Sequence, residues 1–172
     1  MRSRTLLLAA ATIALVLMSV LAGSPPTIEA ATVTVISLGD TGAGTLRQAI
    51  VDANPGDTID FSVTGTITLS SGRLIVLENL TITGPGASSL TIYGNNSSGV
   101  ILTAIGTVAI SRLTLTNGNV GVGQGGGVEN QGTLTLTDVV VSNNVARLGG
   151  GIFNSGTLTL TRTTVKGNTD TQ

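Results

Sequence analysis

Threonine and aliphatic residues alternate along most of this chain. Thr32-Val33-Thr34-Val35-Ile36 sets the pattern, and Thr64-Gly65-Thr66-Ile67-Thr68-Leu69, Thr133-Leu134-Thr135-Leu136-Thr137 and Thr157-Leu158-Thr159-Leu160-Thr161 repeat it. A period of two with one apolar face predicts half-buried strands. Residues 57–63, 74–77, 80–83, 90–93, 100–103, 107–111 and 113–116 predict more of them, separated by Gly, Asn, Ser or Pro. One stretch departs from the period: Leu46, Ala49, Ile50 and Ala53 fall at i, i+3, i+4 and i+7, the spacing of a short amphipathic helix. Thr45 is its expected N-cap, with Gln48 completing a capping box, and Asn54-Pro55-Gly56 is its stop. A lone helix ahead of many strands predicts a plug over the first coil of a solenoid.

The strands are ordered by a repeat. Gly125-Gly126-Gly127-Val128-Glu129-Asn130-Gln131-Gly132 with its Thr-Leu strand recurs as Gly149-Gly150-Gly151-Ile152-Phe153-Asn154-Ser155-Gly156, 24 positions on (149 minus 125). An offset of 26 places residues 106–111 on 132–137 and 113–117 on 139–143. A further offset of 33 relates Ile75, Leu77, Leu80 and Ile82 to Val108, Ile110, Leu113 and Leu115. Periods of this size belong to arrays whose units bury their apolar faces on one another. The fold class is therefore all-β, a parallel β-helix of three-strand coils of 24 to 26 residues, with an N-terminal capping strand and short helix. Stacking puts Leu134 on Leu158, Leu136 on Leu160 and Val128 on Ile152, with threonine ladders outside. It also aligns Asn130 with Asn154 and Asn144 with Asn168, predicting internal amide ladders at corners where Asn tolerates left-handed backbone.

Composition narrows the function classes. Charged residues make up 10% and aromatic residues 2%, which fits strands better than solvated helices and supplies no aromatic platform for sugars. A net charge of -1 gives no basic field for nucleic acid. With no Cys and no His, disulfides, thiolate and imidazole chemistry and the usual zinc ligands drop out.

At the N-terminus, Arg2 and Arg4 precede an apolar run over residues 5–22 that ends at Gly23-Ser24-Pro25-Pro26. This order predicts an export signal over residues 1–30, cut after Ala30 or near Ala22, with a retained anchor as the alternative. The expected organisation is signal 1–30, cap 31–56 and coils 57–172, the last left open at its C-terminal face. That open coil predicts self-association or a continuation beyond Gln172.

At Gly149-Gly150-Gly151-Ile152-Phe153-Asn154 with Ser142-Asn143-Asn144, the chain resembles secreted bacterial right-handed parallel β-helix repeat proteins of the pectin-lyase-like superfamily. The same stretch is similar to repeats of chlamydial polymorphic outer-membrane proteins. Residues 45–50 with Ala53-Asn54 are similar to the CSLREA segment that precedes such helices, with Gly44-Thr45 where its Cys-Ser would stand. The resemblance implies right-handed coils and a secreted or cell-surface location. It implies a role among lyases, hydrolases, adhesins and passive stalks. Enzymes of this class use paired carboxylates or a calcium-linked carboxylate cluster.

The acids beyond residue 30 are Asp40, Asp52, Asp57, Asp60, Glu78, Glu129, Asp138 and Asp170, and only Asp57 and Asp60 lie within three positions. Both are expected to cap a turn or face solvent. Arg112, Asp138 and Arg162 recur at offsets of 26 and 24, predicting an alternating-charge ladder on the surface. Residues 121–127 are Gly-rich but lack the Lys-Ser/Thr ending of a phosphate loop. Asn95 and Asn96 head glycosylation sequons of the kind that arise by chance. No residue is therefore assigned a catalytic, cofactor-binding or metal-ligating role, and no cofactor is called for. The expected function is a non-catalytic secreted or surface β-helix, an adhesin, stalk or passenger that meets glycans or cell surfaces. The alternative is a carbohydrate-active β-helix enzyme, a polysaccharide lyase or glycoside hydrolase, or the N-terminal part of one.

Overall fold

Strands of two to five residues cannot bury a core alone, so the chain winds them into stacked coils. A computed structural model describes residues 29–172; the expected export signal lies, but for residues 29 and 30, outside the described residues. No helix among the described residues is long and apolar enough to cross a membrane. The N-terminal end holds β1 (Thr32–Val35) and α1 (Leu46–Asp52). About five coils follow. The first is β2 (Thr58–Phe61), β3 (Gly65–Thr68) and β4 (Leu74–Val76); the second is β5 (Leu80–Thr83), β6 (Leu90–Tyr93) and β7 (Ile101–Thr103). Coil three is β8 (Thr107–Ser111), β9 (Thr114–Thr116) and β10 (Val128–Asn130). Coil four is β11 (Thr133–Thr137), β12 (Val140–Ser142), β13 (Val145–Ala146) and β14 (Ile152–Asn154). Coil five is β15 (Thr157–Thr161), β16 (Thr164–Lys166) and β17 (Thr169–Asp170).

Every coil adds one strand to each main sheet until the last. The first sheet runs β1-β2-β5-β8-β11-β15, the second β3-β6-β9-β12-β16 and the third β4-β7-β10-β14. All pairs are parallel, and β13 with β17 adds a short fourth ladder. The 24-residue register holds as the repeat requires: Leu134 pairs with Leu158, Leu136 with Leu160 and Val128 with Ile152. Inside run three aliphatic columns, Ile59-Ile82-Ile110-Leu136, Ile67-Ile92-Leu115-Val141 and Leu74-Ile101-Val128. Each of these side chains is at most 3% exposed.

Three expectations are corrected. The offset of 33 fails: Leu80 stacks on Val108, Ile82 on Ile110 and Ile75 on Leu102. Ile75 and Leu77 point outward, about half exposed, because 74–77 is apolar at every position and carries no phase for a period-two reading. The capping box is half formed. The Thr45 hydroxyl accepts from Gln48 N, but the Gln48 amide turns to Asp52 Oδ1 at 2.8 Å. The ladder asparagines are not the left-handed ones. Asn117 and Asn143 carry φ of 54° and turn the corner, while Asn144 beside them points inward, fully buried.

The amide ladders themselves form. The third-sheet column Val76-Thr103-Asn130-Asn154 changes from apolar to polar partway along. Thr103 Oγ1 donates to Asn130 Oδ1 at 2.7 Å, and Asn130 Nδ2 donates to Asn154 Oδ1 at 2.6 Å. Asn144 Oδ1 accepts from Gly118 N at 2.7 Å, and Asn144 Nδ2 donates to Asn168 Oδ1 at 3.0 Å. Buried amides with both ends bonded fix the register without leaving an orphaned polar group.

Candidate functional site

Between the first and second sheets each of the last three coils turns on one residue. Arg112, Asp138 and Arg162 hold φ of 59°, 55° and 46° there. A left-handed residue other than Gly costs roughly 1–2 kcal/mol. The next corner uses Asn117, Asn143 and Gly167 for the same turn, residue types that tolerate it. Arg112 and Arg162 thus stand where backbone geometry alone would favour Asn, Asp or Gly, while Asp138 suits the turn as Asn does.

Coil two reaches this corner at Gly84, where a Cβ would run into the Arg112 carbonyl oxygen. With more residues between β5 and β6 than the next coil has between β8 and β9, the chain steps outward through residues 85–89, and this excursion walls a cleft of about 660 Å³ lined by Gly86, Ala87, Ser88, Arg112, Asp138 and Val140. Three bonds tie the wall down: Gly86 N to Arg112 O at 2.9 Å, Arg112 Nη2 to Pro85 O at 2.9 Å and Thr114 Oγ1 to Ala87 O at 2.7 Å. On the far side Arg162 Nε and Nη2 grip Asp138 Oδ1 and Oδ2 at 2.7 and 2.8 Å. The Arg162 hydrogen bond holds the Asp138 carboxyl below its usual range, with further help from the charges of Arg162 and Arg112, and Asp138 in turn raises Arg162. The expected charge ladder is thus made on one side only. Arg112 leans to the wall and leaves donors facing the cleft. An ionised, doubly bonded carboxylate beside a guanidinium can order hydroxyl or carboxylate groups of a ligand, but it offers no proton for transfer at neutral pH.

The other sequence candidates fall into structural roles. Asp57 is 1% exposed, and its two oxygens accept from Ala31 N and Asn54 N, each at 2.8 Å. Those backbone bonds lower its pKa and pin the capping strand to the helix stop. Asp60 lies in β2 in register with Thr34, one carboxylate oxygen shielded and without a hydrogen-bond partner. The Gly-rich run cannot cradle phosphate. The N–H groups of Gly125, Gly126 and Gly127 already donate to Leu148, Gly149 and Gly150 of the next coil, at 3.0 to 3.3 Å. Asn95 and Asn96 make a left-handed turn, and Asn96 Nδ2 donates to the Tyr93 hydroxyl at 2.9 Å.

Sequence spacing brought out the Arg112-Asp138-Arg162 column but not its cleft, which exists because a turn of coil two overhangs coil three. Two ion pairs also went unread. Asp40 Oδ1 takes Arg47 Nε and Nη2 at 3.0 and 2.7 Å, and its Oδ2 takes Ser70 N and Ser71 N at 2.9 and 2.7 Å. Burial raises this carboxyl, yet Arg47 and the two serines outweigh it and bring it down to about 2. Arg73 of the first coil crosses the second, over Gly99, to pair with Glu129 of the third. No repeat offset links residues that skip a coil. Among the described residues no group of three or more His, Cys, Asp or Glu is placed to hold a metal ion.

Compared with family models, curated proteins and solved structures, the chain matches none.

Proposed function

We propose that the protein is a non-catalytic secreted or cell-surface β-helix that presents a glycan-binding corner, in the manner of an adhesin, stalk or passenger. The observation that carries this reading is the placement of Arg112 and Arg162, with Asp138 between them, at left-handed positions beside a cleft open to solvent. The guanidinium donors of Arg112 and the backbone of residues 86–88 suit sugar hydroxyls and carboxylates. Asp40, Asp57 and Asp138, by contrast, are each engaged by hydrogen bonds that hold them ionised. The export signal read at residues 1–30 supports the location.

A glycan array paired with turnover assays on pectin, alginate and other uronans tests the reading. Binding without turnover, weakened about tenfold or more by Arg112→Ala, is the expected result. Chain cleavage that disappears in Asp60→Asn would establish the carbohydrate-active enzyme instead. That second reading draws its support from the shielded, unpaired oxygen of Asp60.

A further inference from the structure

The outward side of the first sheet is a grid of hydroxyls. Strand pairing places Thr32, Thr58, Thr81, Ala109, Thr135 and Thr159 in one column. Two residues further along each strand, the same register gives a column of Thr34, Asp60, Thr83, Ser111, Thr137 and Thr161. Thr107, Thr133 and Thr157 add a third column across coils three to five. Ten of the twelve positions in the two long columns carry a hydroxyl, and Asp60 alone carries a charge.

Strand propensity favours threonine, but it does not confine threonine to one face. The outward column of the third sheet is Ile75, Leu102, Glu129 and Phe153. Solubility does not account for the grid either, since a soluble surface carries charge at roughly a quarter to a third of its positions, about three or four in twelve. Elsewhere the hydroxyls serve the protein: Thr103 Oγ1 donates to Asn130 Oδ1, Thr114 Oγ1 to Ala87 O and Thr116 Oγ1 to Ser142 O, each at 2.7 Å. In the two long columns the one side-chain bond among the described residues is Ser111 Oγ to Thr83 Oγ1, stretched to 3.5 Å. The grid therefore keeps its hydrogen-bonding capacity for what lies outside it.

We propose that this face binds ice. Neighbouring strands stand about 4.8 Å apart and alternate residues about 6.6 Å apart along a strand, so the hydroxyls make a near-rectangular lattice. Both repeats lie within a fraction of an ångström of the oxygen repeats on a prism face of hexagonal ice. Each hydroxyl donates one bond and accepts two, which lets it stand in for a lattice water. The branched Cβ restricts χ1, so the lattice is set before ice arrives, and the methyl groups between the hydroxyls gain by shedding their water on contact. A charge would orient water about itself instead, and Asp60 is the one position that opposes the fit. The grid lies on β1 to β15 and the corner cleft lies beyond their ends, so the proposal is independent of the glycan reading.

Ice held just below its melting point in a solution of the full chain tests this. At tens of micromolar the expected result is faceted crystals whose growth is slowed about tenfold or more against buffer. Thr135→Lys in the middle of the grid, and Thr159→Lys on the more exposed neighbouring strand, should each remove most of that effect with β circular dichroism retained. Thr66→Lys, at an exposed outward position of the second sheet, should leave the effect within about twofold of the parent. Round crystals growing at the buffer rate, an equal loss in Thr66→Lys, or binding to crystalline cellulose or chitin in place of ice would each overturn the proposal.

Discussion

At the scale of single residues, backbone conformation and side-chain chemistry pull against each other at one corner. Arg112 sits at φ 59° with its side chain exposed, so Arg112→Asn relieves left-handed strain while removing only the bond to Pro85 O. Relief of roughly 1 kcal/mol exceeds the worth of one exposed hydrogen bond. Chemical denaturation should therefore show Arg112→Asn equal to the parent or more stable by up to about 1 kcal/mol, while glycan binding falls. Loss of stability beyond that would show that Arg112 is held for folding. Asn130 behaves oppositely. It is fully buried and bonded at both ends, so Asn130→Leu strands the Thr103 hydroxyl and the Thr157 carbonyl, a cost on the order of 2–4 kcal/mol. At Arg112 the sequence showed the charge column but not the backbone conformation, whereas the role of Asn130 was legible outright. Asn130 and Asn154 recur in register with the period, and an amide repeated at one corner implies a ladder. A left-handed Arg leaves no compositional mark, because propensity would place Asn or Gly there.

Elements show where the repeat is readable and where it is lost. Coils three to five could be aligned because their strands alternate cleanly, Thr outside and Leu or Val inside. Coil two was misaligned at the offset of 33, since residues 85–89 and 94–99 lengthen its turns and the apolar run at 74–77 of coil one carries no alternation to fix a phase. The cleft stayed invisible for the same reason: it is the space beneath one of those lengthened turns. The helix was placed correctly, but its fastening was not, because Asp40 reaches 30 residues ahead to Ser70. That fastening has a pH signature. The Asp40 carboxyl lies at about 2 in the folded chain, against 3.8 when free. The stability it contributes is present above about pH 4 and is lost as pH falls through about 2, on the order of 2 kcal/mol in all. Asp40→Asn should flatten the stability profile across that window, whereas an unchanged acid limb would show that the lid is held by α1 packing alone. Close approach within one coil imposes the other elemental constraint. A Cβ at Gly118 would fall within the radius of the Gly126 carbonyl oxygen, which belongs to the same coil across the turn between β9 and β10. Gly118→Ala should cost several kcal/mol in thermal unfolding, because backbone rather than a flexible side chain must yield.

For the whole molecule, stability is the sum of coils and the contacts between neighbours, not of one shared core. The columns that run inside reach Leu158, Leu160 and Val165 of coil five, and β1 and α1 pack on the first coil. In a chain of residues 29–172, hydrogen exchange is expected to be fastest in β15, β16 and β17, whose residues are mostly exposed, with β5, β8 and β9 protected to near the global limit. Ending the chain after Gly156 should move the open face to coil four and expose Leu134, Leu136 and Val141, which are fully buried now. Uncovering those three side chains by about half costs on the order of 3 kcal/mol. The loss should fall on coil four alone, with exchange in β5 and β8 unchanged to within a factor of about three. Protection lost evenly through every coil would mean that the solenoid unfolds as a single unit. The columns would then transmit stability along their length, and an uncovered last coil would weaken the distant corner cleft as well as its own edge.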